Sequence, residues 1–494
     1  MGEKYKIGDI RNGFPVLPTD RRKKILLLSD DLRLFSGIAT VSKNIVNGII
    51  HQYSVVQLGA AIKHPDNNKI FNMNEATTKL TKVPDAQVSI YASQGYGNQN
   101  VLRHILHRER PDAILHFTDP RQWWWLYNME HEIRQHIPIF YYNIWDCPPA
   151  PLYNRDFYRS CDLIMNISKQ THALVKKVLE NNNEIDLNND NVKFKDDTIY
   201  TAYVPHGIDK EQFFKMHKDH EKIEVAKREI FGDKEFDFVV FWNNRNIRRK
   251  MPIDVMLAFK QFVNELPKAK KDKVALIMHT TPRDKNGTDL YAIKDDLLHD
   301  VDNVFLHSKK VSVDQLNILY NIVDVTINIA SNEGWGLSST ESLMAETMII
   351  NNTTGGLQDQ CRFEDEKEEW FNPTPNYPSN HYGEYKKHGV WCEPVFPSSI
   401  SCVGSIPTPY IYDERCSIED VSKAMRKIYI LTPEERDRRG KEGRKWVCSE
   451  EAKMSSQQMS ESFMKYMNKM LDIWKPKKRF NIYNSNDIVK QVKI

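Results

Sequence analysis

The sequence predicts an α/β protein built from two doubly wound, Rossmann-like domains that face each other across a cleft. Three observations lead there. The chain has 494 residues, more than one hydrophobic core organises, so several domains are expected. Its strand candidates are unbroken apolar runs, the pattern of strands buried on both faces of a parallel sheet. The alternation of strand and helix also starts afresh after Val204, which gives each half a first strand of its own.

Residues 1–22 read as an N-terminal extension, and 23–203 as the first domain. There "KKILLLSD" (23–30) is the opening strand. "GIATVSKNIVNGIIHQ" (37–52) follows as a helix, with Ile38, Val41, Ile45, Val46 and Ile49 on one face. "YSVVQLG", "PDAILHF", "IPIFYYNIW" and "CDLIMNIS" are further strands, and the Asn-rich "ENNNEIDLNNDN" (180–191) is expected as a surface loop. The second domain, 204–448, begins near "TAYVPHGIDKEQFF" (201–214). It continues with "FDFVVFWNN", the helix "PIDVMLAFKQFVNEL", "KVALIMHT", "NVFLHS", the helix "VDQLNILYNI", "VDVTINIA" and "TMIINNT". Residues 360–415, aromatic and Pro-rich, read as an irregular insertion, a length more often functional than idle. Ser417 and Asp420 mark a helix start, and Thr432, Pro433 and Glu435 a capping box. A long helix over about 449–473 opens the terminal segment 449–494.

Composition narrows the function classes. With 40% hydrophobic, 11% aromatic and 27% charged residues, the chain reads as a folded soluble protein. Lys+Arg number 69 against 66 Asp+Glu, a net charge of +3, which argues against nucleic acid as a partner. Seven cysteines without a C-x-x-C pair read as reduced thiols in a cytoplasmic compartment. The N-terminus lacks a signal-peptide apolar run, Lys6 occupies the place where a myristoylation signal has Ser or Thr, and no transmembrane segment is present. Peripheral contact with a membrane remains compatible with these features.

The candidate chemistry lies at strand ends, where open α/β sheets bind ligands. After "DFVVFWN" comes "NRNIRRK", with Arg245 and Lys250 before a helix start, an arrangement suited to an anion and equally to a solvated basic loop. After "VDVTINIA" comes "SNEGWGLSSTESLMAE". Glu333 stands there in a loop and Glu341 is expected in the first turn of a helix starting near Ser338, both aimed at one crevice. Gly334 and Gly336 allow close backbone approach, and "TTGG" (353–356) is a further glycine turn. In the first domain, Gly37 follows the opening strand, while His116, Asp119 and Asp146 end later strands. Trp123 to Trp125 suit either core packing or stacking on a sugar or lipid acceptor. The D-x-D at Asp300–Asp302 reads as loop polarity.

On these motifs the chain resembles the GT-B retaining glycosyltransferases of family 4, also called group 1. Their G-R-x4-K-G, E-G-[FW]-G-L-x3-E-x-M-A and G-G segments correspond to "NRNIRRKM", "EGWGLSSTESLMAE" and "TTGG". "VPHGID" resembles their N-G-V-D segment, and "LTPEERDRRGKEGRKWV" their late helix. The resemblance implies a GT-B fold whose C-terminal helix returns to the first domain, and transfer of a sugar from a nucleoside-diphosphate-sugar with retention of configuration. It implies that Arg245 and Lys250 neutralise the diphosphate, that Glu341 holds the ribose and Glu333 the sugar. Gly334, Trp335, Gly336 and Leu337 line the donor pocket, and Gly37 closes over it. His116 stands near a sugar-contacting histidine of the family, and His116 and Asp146 face the acceptor, whose identity the residues do not reveal. No metal and no cofactor are implied, because the cations serve the leaving group. The Lys- and Asn-rich composition is also similar to that of viral or phage members. Met251 and Glu346 replace glycines of the family pattern, and one glycine stands where the first-domain loop often has two. Three other readings keep the fold: an epimerase, a phosphorylase-like enzyme, and a glycosyltransferase acting on modified DNA bases through "RRK" and "KPKK" (475–478).

Overall fold

The computed structural model describes residues 4–62, 66–180, 182–188, 195, 198–374 and 379–477. Residues 1–3 and the tail beyond Lys477, with Lys478 of the "KPKK" run, lie outside them.

Among the described residues the first sheet has nine strands: β1 Lys23–Asp30, β2 Tyr53–Ile62, β3 Ile70–Asn72, β4 Val88–Gln94, β5 Ala113–Phe117, β6 Ile139–Asn143, β7 Leu163–Asn166, β8 Glu184–Asp186 and β9 Ile199–Tyr203. Their order is β8-β9-β7-β6-β5-β1-β2-β4-β3, parallel except for β3 against β4. β5, β6 and β7 are buried at every residue, as continuous apolar runs require. The second sheet has six parallel strands: β10 Phe238–Asn243, β11 Val274–His279, β12 Val304–His307, β13 Val325–Asn328, β14 Met348–Asn352 and β15 Cys392–Val395. Their order, β12-β11-β10-β13-β14-β15, is that of a dinucleotide-type Rossmann sheet.

Helices cover both sheets. Those that position the site are α1 Gly37–Ile49, α2 Lys169–Val178, α3 Pro252–Asn264, α4 Val313–Asn321, α5 Leu337–Met344 and α6 Gly355–Asp359. Ser36 caps α1, its hydroxyl accepting from the Ala39 N–H at 3.1 Å. α7 Pro433–Val447 leads to α8 Ser456–Ile473, which lies back on the first domain. Phe463 meets Tyr142 edge-on at 4.8 Å, and Tyr53 bonds Asn468. No helix among the described residues is long and apolar enough to cross a membrane.

Four local expectations change. The Asn-rich segment contributes the edge strand β8, paired in parallel with β9. The insertion is partly regular: it supplies β15 and an antiparallel hairpin, β16 Ser399–Ser405 and β17 Thr408–Arg415. The last long helix starts at Ser456, where Ser455 and Gln458 form a full capping box. The box expected at Thr432 is half made. Thr432 caps the Glu435 N–H, while the Glu435 carboxylate turns to Arg438 and Arg439, each at 2.7 Å.

Candidate active site

In the second sheet the strand order reverses between β10 and β13, and the crevice of such a sheet opens outside those carboxyl ends. After β10 the chain turns through a 3-10 segment at Arg248–Lys250. After β13 it runs through Ala330–Gly336 into α5. The two loops lie on each other. The Ser331 N–H donates to the Arg249 carbonyl at 2.8 Å, and Arg249 Nη1 donates to the Asn332 carbonyl at 2.6 Å. Lys250 Nζ touches Glu333 Oε2, and both residues are buried. Burial, and after it Arg249, push the pKa of Lys250 well below the ordinary lysine value, while Asp146 pulls it back.

The first domain closes this cluster. Arg249 Nη1 stands 3.5 Å from Asp146 Oδ2 and 3.8 Å from Glu333 Oε1, so one guanidinium faces a carboxylate from each domain. A Cβ on Gly37 would meet Leu337 Cδ1 at 3.8 Å, which sets the first turns of α1 and α5 opposite each other. The starts of two helices therefore border the same crevice as Arg249 and Lys250, a setting that favours an anion.

Other expected residues are placed differently. Arg245 does not join Lys250. It projects to the rim, with 60% of its side chain exposed, and pairs with Asp284 at 2.8 Å. The buried Asn246 beside it donates to the Pro282 and Thr288 carbonyls at 2.9 and 2.7 Å, which pins the loop in that direction. The second cation of the cluster is Arg249, which sequence reasoning took only as part of a basic run; its one signal was adjacency to Lys250. Glu341 lies in the second turn of α5, not the first, because the helix begins at Leu337. It accepts from the Tyr320 hydroxyl at 2.6 Å, which accepts from Asn243 Nδ2 at 2.9 Å. The two glutamates are thus held by different partners. Glu341 keeps a strip of exposed surface, yet burial pushes its pKa up to about 7, against the opposing Tyr320 hydrogen bond.

His116 does not face an opening. It is fully buried, with Nδ1 2.7 Å from the Tyr127 hydroxyl and Nε2 2.9 Å from Thr118 Oγ1. Burial lowers its pKa to about 3, and the ring stacks on Tyr141. Trp123 and Trp125 are core residues, while Trp124 is 56% exposed. Trp335 is buried, its indole N–H donating to Thr340 at 3.0 Å. Only the backbone of its turn is left to line a ligand. Gly334 abuts the first domain at the Ile144 carbonyl, and Gly336, at φ +84°, precedes α5.

The TTGG turn serves packing. Gly355 adopts φ +51°, and a Cβ there would lie 1.8 Å from the Glu333 carbonyl oxygen. Its N–H donates to Gln170 of α2 at 2.9 Å, tying the turn to the first domain. The two glycine replacements also find a reason. Met251 and Glu346 both adopt left-handed backbone, at φ +52° and +61°, the conformation in which glycine carries least strain.

No family model and no curated protein matches the chain. Solved structures do. Anabaena HepE in complex with UDP and glucose is 11% identical, with a TM-score of 0.59 over 91% of this chain and 100% of that one. Sucrose-phosphate synthase from Thermosynechococcus elongatus is 13% identical, with a TM-score of 0.62 over 91% and 100%. An α,α-trehalose-phosphate synthase (UDP-forming) from Burkholderia xenovorans, in complex with glucose-6-phosphate, is 10% identical, with a TM-score of 0.60 over 90% and 100%. At such identities the likeness shows the fold, which is GT-B.

Proposed function

We propose that the protein is a glycosyltransferase that moves a sugar from a nucleoside-diphosphate-sugar to an acceptor hydroxyl, with retention of anomeric configuration. The observation that carries the reading is the cluster at the sheet's reversal point. The Lys250–Glu333 pair and Arg249 lie there opposite the start of α1, with Asp146 across the joint. The diphosphate fits against Lys250, Arg249 and the two helix starts, where positive charge meets the negative charge that grows as the nucleotide leaves. Arg245 reaches the same phosphates by exchanging Asp284 for them. Glu341, at the end of its Asn243–Tyr320 relay, accepts hydrogen bonds from the ribose hydroxyls. Glu333 orients the donor sugar, and Asp146 the acceptor. This division of labour gives a metal ion no task, because side-chain cations neutralise the leaving group.

The HepE structures contain UDP, glucose or UDP-glucose, so uridine nucleotides come first in the test. Thermal unfolding is measured with UDP, GDP, ADP and their sugars, on wild type and on Glu341→Ala. A ligand at a hundred times its Kd stabilises by about 2.7 kcal/mol. The reading expects one diphosphate series to raise the melting temperature, and Glu341→Ala to lose most of the rise. No shift at millimolar ligand overturns it. A positive series is followed by acceptor screening for nucleotide release and for the configuration of the product.

A further inference from the structure

The hairpin β16–β17 belongs to the second domain by chain order but is fastened to the first. The Tyr412 N–H donates to the Pro148 carbonyl at 2.7 Å. The Tyr410 hydroxyl accepts from the Leu152 N–H at 3.2 Å, and the Tyr153 hydroxyl donates to the Tyr410 carbonyl at 2.8 Å, with the two rings edge-on at 4.9 Å. Arg121 donates to the Pro407 carbonyl at 3.3 Å and also bonds Thr408. Ile411 packs on the small cluster of Trp145, Cys147 and Leu174.

The same strand is rooted in the loop that carries Glu333. Asn332 donates to the Tyr412 carbonyl, and the Glu414 N–H donates to the Ser331 carbonyl at 3.1 Å. Asn352 donates to the Glu414 carbonyl at 2.9 Å. Tyr412 therefore joins, through its own N–H and C=O, the residue two places after Asp146 to the residue next to Glu333. Its backbone spans the joint that Arg249 spans with charge.

The root and the far end differ in strength. Glu414 is fully buried, whereas every residue of β16 is exposed and Ile406 at the tip is 99% exposed. Among the described residues the hairpin pairs with no other strand. A two-stranded hairpin alone is marginal in water, so its order depends on what it docks against. The root is held in the core, and the rest of the strand is held to the first domain by hydrogen bonds, one ring pair and the packing of Ile411.

We infer that the hairpin is a clasp: docked, it fixes the 146–153 segment against the Ser331–Glu333 turn and keeps water from the reacting sugar. The clasp itself is independent of the proposed function, and only its consequence rests on that reading. With the clasp open, water attacks the anomeric carbon, the bond from that carbon to the phosphate oxygen breaks, the water's proton passes to the departing diphosphate, and free sugar and nucleoside diphosphate result. With it closed, the acceptor hydroxyl makes the same attack.

The test is hydrogen–deuterium exchange of the full chain for wild type, Tyr410→Ala and Tyr153→Phe. Peptides over 146–153 and 408–414 are expected to exchange at least fivefold faster in Tyr410→Ala and less so in Tyr153→Phe, with the central strands of both sheets unchanged. Wild-type protection in both variants overturns the clasp. Should Tyr410→Ala loosen the central strands as well, Tyr153→Phe, which keeps the ring and removes one hydrogen bond, decides alone. With the donor identified by the thermal panel, the ratio of donor hydrolysis to transfer should rise at least threefold in the variants that exchange faster. An unchanged ratio beside faster exchange overturns the water-excluding role. Absence of donor binding in wild type rejects the proposed function and leaves the exchange result to decide the clasp.

Discussion

On the proposed reading, Glu341 ties donor binding to protons. Burial lifts its pKa from the ordinary 4.5 to about 7, so the free protein is half protonated there near neutrality. The fold favours the protonated form. This group's contribution to stability is therefore present below about pH 4.5 and is lost as pH rises through about 7. A ribose that needs two acceptors takes the carboxylate form, and apparent affinity scales with the ionised fraction. That fraction is about 0.9 at pH 8 and about 0.1 at pH 6, so Kd for the donor should rise about tenfold on acidification, or about 1.4 kcal/mol. Calorimetric titration with a nucleoside-diphosphate-sugar reads this directly, because its diphosphate diester does not titrate between those pH values. Binding near pH 7 should also release a proton, visible as a buffer-dependent heat. Glu341→Gln should bind weakly with a flat pH profile. Tyr320→Phe, by removing a hydrogen bond that lowers the pKa, should move the midpoint upward. A wild-type Kd that changes less than about twofold across the range, or a slope that survives in Glu341→Gln, refutes the reasoning.

Three further outcomes follow from the same geometry. Lys250→Met leaves the buried Glu333 carboxylate only the more distant Arg249, at 3.8 Å, and should cost about 3 kcal/mol, read as a lowered melting temperature; Lys250→Met with Glu333→Leu should recover most of the stability and none of the donor binding. Gly355→Ala places a methyl on the Glu333 carbonyl oxygen and keeps a left-handed backbone, so it should destabilise by about 1–3 kcal/mol and abolish the nucleotide-induced thermal shift. Glu346→Gly relieves the strain at φ +61° and should raise stability by about 1 kcal/mol, seen as a small upward shift in melting temperature with donor affinity unchanged.

The sequence by itself determined what is local. Unbroken apolar runs announced β5, β6 and β7, because a strand covered on both faces has no polar side to show. Ser417 marked a helix start, since a hydroxyl at that place satisfies an otherwise unpaired N–H. The spacing of Lys250, Glu333 and the glycine turn followed strand ends, and strand ends are where such a sheet exposes its chemistry. Tertiary structure decided which of those residues meet. Arg245 and Arg249 are alike in the sequence, yet Asn246 locks one loop so that Arg245 finds Asp284 while Arg249 finds Glu333 and Asp146. His116 sat at a strand end and was enclosed by Tyr127, Thr118 and Tyr141, two of them ten or more residues away. The clasp drew its strength from Pro148, Leu152 and Tyr153, more than 250 positions before the tyrosines they hold. Long side chains have several orientations of nearly equal energy, and the partner that selects one comes from distant chain. Periodicity and capping are written in a few neighbouring residues, whereas that selection exists only once the two sheets have packed.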